Sequence, residues 1–217
     1  MISLVKDHRQ RADDKMSPSR DELAVLAEAA VRGDPHAVRT FTMAVAGTLR
    51  GAVRMVLGPQ HSDVDDVTQE AAMGLLSALP RFRGECTVAQ YARRVAVLTA
   101  MAARRRQRNQ ERWTVVDDAA RDGVSSAPAS SPLAQVEAAR RRSVMRRLLD
   151  DLPEALGEAM VHYFMLGHTA EEIAAMTHVP VSTVWSRLRM GKARLRQKLA
   201  DDPSLCEALA ASEHGVR

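Results

Sequence analysis

Between Gly167 and Leu199 the chain reads as a capped start, a break and a second apolar stripe, and that order leaves few options for local structure. Thr169 with Glu172 three residues later is a capping box: the hydroxyl takes a free amide of the first turn and the glutamate reaches back to the cap. Ala170, Ile173 and Ala174 then share one helical face. His178-Val179-Pro180 interrupts the pattern, and a proline suits the first turn of a new helix, where its missing N–H would have had no partner. Val181, Val184, Leu188, Leu195 and Leu199 make the next stripe at helical spacing. Two helices, a short turn and a longer second helix describe a helix-turn-helix. Ser182, Thr183, Trp185, Ser186, Arg187, Arg189 and Lys192 lie off the stripe, and Arg194 continues the basic run. Hydroxyls and guanidinium groups suit phosphates and base edges in a major groove.

The rest of the chain also reads as helical. Aromatic residues make up only 3%, so the core must come from Leu, Val, Ala and Met, a composition that favours helices. The expected fold is all-α: two small helical domains joined by a flexible linker, the second a helix-turn-helix. Residues 1–19 are charged and aperiodic and are expected to form a mobile leader. Residues 20–110 form the first domain. A helix starts near Ser19, and a second runs from Pro35 to about Leu57 with Val38, Phe41, Val45, Leu49, Val53 and Val56 inward. A third opens among Asp63, Asp65 and Asp66, where the macrodipole favours acids, with Val67, Ala71, Leu75 and Leu79 inward. A fourth spans about Thr87 to Arg108, apolar at Val88, Tyr91, Val95 and Leu98 and basic at Arg104-Arg105-Arg106-Gln107-Arg108. Residues 111–132, with Ser125-Ser126-Ala127-Pro128, read as a linker. Residues 133–200 form the second domain. Its first helix carries a solvated basic band including Arg146 and Arg147, and its next packs Leu156, Met160, Val161 and Phe164 beneath the helix-turn-helix. Residues 201–217 are a tail.

A net charge of +4 points mildly to a polyanionic partner. Cys86 and Cys206 lack metal-ligand spacing and read as free thiols of a reducing cytoplasm. No apolar run approaches the ~20 residues of a membrane span, so no direct membrane insertion is expected. His162, His168 and His178 lack the spacing and companion acid of a metal helix. Asp63, Asp65 and Asp66 lack the glycine and glutamate of a calcium loop. No nucleophile motif, phosphate-cradling loop or zinc signature is present, so the expectation is a non-enzyme with no cofactor and no metal.

Two further stretches, with the helix-turn-helix, carry a family resemblance. They are Asp63-x-Asp65-Asp66-x-x-Gln69-Glu70 and Leu79-x-Arg81-Phe82-Arg83-Gly84-Glu85; the third is Val181-Ser182-Thr183-Val184-Trp185-Ser186-Arg187-Leu188, preceded by Leu152-Pro153 and Gly167-His168-Thr169. In this order and across a linker they resemble bacterial sigma factors of the extracytoplasmic-function group. The resemblance implies an initiation factor that binds core RNA polymerase, at the β′ clamp helices and the β flap, and promoter DNA. Asp66, Gln69 and Glu70 would be its polymerase contacts, with Phe82, and Arg83 would lie in the loop beside the minus-ten DNA. Tyr91, Arg93, Arg94, Arg104 and Arg105 would hold the opened minus-ten strand by stacking and charge. The recognition helix would read the minus-thirty-five element. An anti-sigma factor is a further partner that the resemblance admits. The chain departs from the family pattern at Leu98, where asparagine is usual, at Trp185, where a basic residue is usual, and at Met190, where arginine is usual. Two other readings stay open: a regulator that binds an operator without polymerase, and a sigma-like module that binds polymerase or an antagonist without opening DNA.

Overall fold

The computed structural model describes residues 20–113, 146 and 148–201. The expected leader, Ser19, residues 114–132, most of the helix expected over 133–150, the tail beyond Asp201 and Cys206 lie outside these residues. The described residues form helices and no strand.

Helix α1 (Arg20–Val31) leads into α2 (Pro35–Leu57). Asp34 caps α2 by accepting the His36 N–H at 2.9 Å, with Pro35 in the first turn. Gly58 ends it at φ 112°, a conformation that side-chain-bearing residues avoid. Phe41, Val45, Leu49, Val53 and Val56 are buried as expected, while Val38 stays at the edge of the core. Helix α3 (Val64–Ala78) buries Val67, Ala71 and Leu75. Asp63 makes no side-chain cap; of the first-turn acids, Asp65 pairs with Arg50 at 2.9 Å, and both Asp65 and Asp66 are favoured by the helix dipole. A 3-10 turn over Leu79–Arg81 leads towards α4 (Val88–Trp113), and α2 lies at the centre, packed on α1, α3 and α4.

Helix α4 corrects two expectations. It runs past Arg108 to Trp113. Its buried seam is Val88, Ala92, Ala96, Val97, Ala100 and Met101, whereas Tyr91, Val95 and Leu98 are only partly covered. Alanine lets α4 approach α2 closely, so the larger side chains are displaced to the flank. A capping box starts α4: Gln90 N–H donates to Thr87 Oγ1 at 3.2 Å and Thr87 N–H donates to Gln90 Oε1 at 3.0 Å.

In the C-terminal half, α5 (Glu154–Met160) passes into a π-helical turn over Val161–Met165. The turn closes through Leu166 N–H donating to Val161 O at 3.0 Å. Its extra residue rotates the side chains at its end away from the period of α5. Leu156, Met160 and Val161 are buried as expected, but Phe164 is turned outward and half exposed. Helix α6 (Ala170–Thr177) opens with the expected capping box: Glu172 N–H donates to Thr169 Oγ1 at 3.2 Å, and Thr169 N–H donates to Glu172 Oε2 at 2.8 Å. His178 makes the turn in the left-handed region at φ 55°, and α7 (Val181–Asp201) comes next. Val184, Leu188, Gly191 and Leu195 form its buried stripe, with Val181 and Leu199 at the margins. Arg146 is not in a solvated band: it is 6% exposed and packed against Gly58. Arg147 lies outside the described residues.

The two halves are packed together. Gly157 of α5 faces Met101 of α4 so closely that an added Cβ would lie 2.6 Å from the Met101 methyl carbon. A glycine inside a helix is less favourable than alanine by about 1 kcal/mol, and here the end of the Met101 side chain fills the space that a Cβ would take.

Candidate nucleic-acid interface

The buried stripe of α7 fixes where its other side chains stand. At 100° per residue, Ser182, Ser186, Arg189 and Met190 lie opposite the core. Trp185 and Lys192 stand on one flank, and Thr183, Arg187 and Arg194 on the other. The expected contact residues therefore spread wider than a single groove-facing line. On the first flank Trp185 meets Tyr163 edge-on, 5.7 Å between ring centroids, and Tyr163 meets Phe164 at 4.9 Å. Lys192 Nζ lies 5.0 Å above the Phe164 ring, a cation–π contact. Phe164 was expected beneath the helix-turn-helix and instead lies half exposed at its flank, and Tyr163, which the sequence reading did not single out, is the ring that meets Trp185. Trp185 and Phe164, each 50% exposed, form an apolar edge on this flank, while Met190, also 50% exposed, stands apart from them on the outer face.

In the N-terminal half Asp66, Gln69 and Glu70 all point to solvent from α3, and Met73, 63% exposed, continues that face one turn on. Glu70 also accepts from Arg106 at 2.7 Å, an exposed pair. Phe82 packs on Tyr91, 4.9 Å between centroids, so each ring is partly covered by the other. Arg83 is exposed; Arg93 is partly buried.

The remaining expected strand-holding arginines of α4 face the C-terminal half. Arg94 Nε donates to Glu158 Oε1 at 2.8 Å, with Glu158 only 7% exposed. Arg104 holds Asp150 in a two-pronged pair at 2.6 and 2.5 Å, both side chains 16% exposed. Arg105 donates to Glu154 at 2.9 Å, and Arg108 to Asp151, which Lys198 also reaches. Burial works against the Asp151 carboxylate, but Lys198 and Arg108 outweigh it and hold the carboxyl below its usual range. Partly buried charged pairs are among the stronger side-chain bonds, at about 1.5–3 kcal/mol each, the two-pronged Arg104–Asp150 pair above the single bond of Arg94 to Glu158, whereas exposed ones give ~0–1 kcal/mol. The Arg104–Asp150 and Arg94–Glu158 pairs thus dominate the polar seam. Two more bonds cross it: Gln90 Nε2 donates to Glu172 Oε1 at 3.0 Å, and the His178 ring meets Glu85 at 2.7 Å.

Beneath this seam His162 and His168 are buried with their Nδ1 atoms 3.1 Å apart, so one ring donates and the other accepts. Neither Nε2 finds a protein partner. Burial, then His168, Arg94 and Arg93, push His162 down to about 3; burial and Arg93 lower His168 against the opposing pull of Glu172. The unfolded chain therefore takes up protons at a pH where the folded chain does not, and stability is full above about pH 6.5 and declines towards pH 3. At pH 5 His162 alone is expected to reduce stability by about 2 kcal/mol. Urea unfolding at pH 7.5 and pH 5.0 measures it; a His162→Phe variant with the same difference between the two would overturn it.

Among the described residues no helix is long and apolar enough to cross a membrane. Sigma-70 region 2 matches residues 41–110 and Sigma-70 region 4 matches residues 142–195, together more than half of the chain. The ECF RNA polymerase sigma-E factor of Escherichia coli (strain K12) is 28% identical over 179 residues, covering 81% of this chain and 93% of that protein. The ECF RNA polymerase sigma-E factor of Haemophilus influenzae is 27% identical over 184 residues, covering 80% and 93%. A solved structure of CnrH in complex with the cytosolic domain of CnrY aligns with a TM-score of 0.49 at 21% identity, covering 85% of this chain and 99% of that one. With both regions in this order and helices without strands among the described residues, the protein belongs to the extracytoplasmic-function group of the sigma-70 family of RNA polymerase sigma factors, which are not enzymes.

Proposed function

We propose that this chain directs promoter-specific initiation from the cytoplasm by joining core RNA polymerase and making two separate DNA contacts. The observation that carries the reading is the pairing of a region 2 match with a region 4 match whose helix-turn-helix opens with the capping box of α6 and carries basic side chains on the outer surface of α7. In this reading Asp66, Gln69, Glu70 and Phe82 face the polymerase β′ clamp helices, and the C-terminal half engages the β flap. Arg83 and Tyr91 engage the minus-ten strand with Arg93, Arg94, Arg104 and Arg105, through charge and a stacking face. Ser182, Ser186 and Arg189 enter the major groove at the minus-thirty-five element. Thr183, Arg187 and Arg194 on one side, and Trp185 and Lys192 on the other, reach the flanking phosphates or a thymine methyl. An anti-sigma factor would act by covering one of these surfaces.

Open-complex formation tests the reading. The protein, bacterial core polymerase and DNA from upstream of its own gene are mixed, and unpaired thymines are probed. Reactive thymines near a start site, absent with core alone, are the expected result. Core binding with no opened DNA at any promoter offered would favour the module that binds polymerase without initiating. No core binding would leave an operator-binding regulator.

A further inference from the structure

The seam between the halves uses groups that the proposed function needs elsewhere. Elements named for promoter positions ten and thirty-five lie about 25 base pairs apart, or ~85 Å of duplex axis. In the structure the two parts assigned to them touch: Glu85, beside the minus-ten loop, meets His178 of the helix-turn-helix turn at 2.7 Å. The docked arrangement therefore cannot span both elements. A connection of 32 residues, 114–145, has a fully extended length of about 105 Å, so its covalent length permits separation. Carboxylates of the C-terminal half take the guanidinium groups of α4: Asp150, Glu154 and Glu158 accept from Arg104, Arg105 and Arg94, with Arg104 also donating to the Val56 carbonyl of α2 at 3.5 Å. Arginine forks fit carboxylate and phosphate oxygens alike. The seam is also shaped in its apolar part, where Gly157 admits Met101.

We propose that this is a closed state in which the carboxylates of Asp150, Glu154 and Glu158 stand in for nucleic-acid phosphates on α4, so that a single strand and the C-terminal half compete for the same arginines. The inference rests on the initiation-factor reading, since it takes α4 as the strand-holding helix. Free protein then holds single-stranded DNA weakly, and release of the C-terminal half exposes the binding row.

The test uses the full chain and a labelled oligo-deoxythymidine. Neutralising the row with Asp150→Asn and Glu158→Gln together is expected to tighten oligonucleotide binding at least ~10-fold at low salt. The salt dependence should steepen by about 0.7 for each phosphate newly contacted. Glu28→Gln with Glu171→Gln changes the net charge equally, on exposed residues away from the row, and is expected to change binding less than ~3-fold. Fluorophores at Ser77→Cys and Ala193→Cys, with Cys86 and Cys206 replaced by serine, report separation of the halves. The Asp150/Glu158 variant should show a longer distance. Arg94→Gln with Arg104→Gln should show the same opening without the gain in binding, which distinguishes unmasking from unfolding. Equal gains in both acid variants, or separation with no gain when the acids are neutralised, would overturn the proposal. If the wild type opens promoter DNA with core polymerase and the acid variant still gains nothing, the closed-state inference alone fails; if the wild type does not bind core, the initiation-factor reading fails with it.

Discussion

Replacing Asp66 and Glu70 together by lysine is expected to weaken binding to core RNA polymerase by ~100-fold or more. Both acids stand exposed on one face of α3 with Gln69, and Met73 extends that face with an apolar tip. An exposed ridge of acids ending in a large apolar side chain suits a basic partner surface with an apolar pocket. Placing like charges across such an interface costs several kcal/mol, and a 100-fold loss corresponds to about 2.7 kcal/mol. The fold should survive, because Glu70 contributes only an exposed pair with Arg106. Asp65→Lys is the control. Asp65 is on the same helix but pairs with Arg50 at 2.9 Å, so its reversal should change affinity by less than ~3-fold. Titration of core enzyme with labelled protein measures both; an equal loss in binding free energy per charge reversed would mean that the partner reads net charge and not this ridge.

Gly191→Leu is expected to abolish most promoter-directed transcription while leaving core binding through the N-terminal half. Gly191 is buried where α7 crosses α5, and a Cβ there would lie 2.9 Å from Met160 Cγ and 3.0 Å from its Sδ. The Cγ is not a free chain end, so a leucine must push α7 away from α5 or unpack Met160. Overpacking of this kind costs about 1–3 kcal/mol. The larger effect is geometric: displacing α7 moves every groove-facing side chain at once, and transcription should fall more than ~10-fold. Gly191→Ala sharpens the comparison, because its helix preference, worth about 1 kcal/mol, offsets a smaller clash. Thermal unfolding and run-off transcription on one promoter measure the two effects; a Leu variant as stable and active as wild type would contradict the packing.

The parts of this protein that rest on local pattern were legible from its residues. The stripe of α2, the acidic start of α3, the Thr169–Glu172 capping box and the break at His178 all declare themselves within one or two helical turns. The seam of α4 did not. Its buried face is largely alanine, which carries little signal in a hydrophobic pattern, so Tyr91 and Leu98 looked like the inward residues. Phe164 was misplaced for a different reason: one additional residue in the π turn rotates the helix beyond it, and no sequence period records such an insertion. The site was legible as a list of residues but not as an arrangement. Nothing in the spacing of Arg104 and Asp150, or of Arg94 and Glu158, foretells that they meet, since tertiary packing alone brings such distant charges together. Arg146, read as solvated, is buried for the same reason.

The hydrogen bond from Gln90 to Glu172 links two capping boxes, each of which already satisfies its own helix start. Breaking that bond costs neither helix its cap. The two halves can therefore part as finished bodies, with no turn unravelling on either side. Engagement of polymerase or duplex by the recognition unit should then show the modest heat-capacity change of rigid docking rather than that of folding coupled to binding, and the speed of encounter should be set by diffusion and charge.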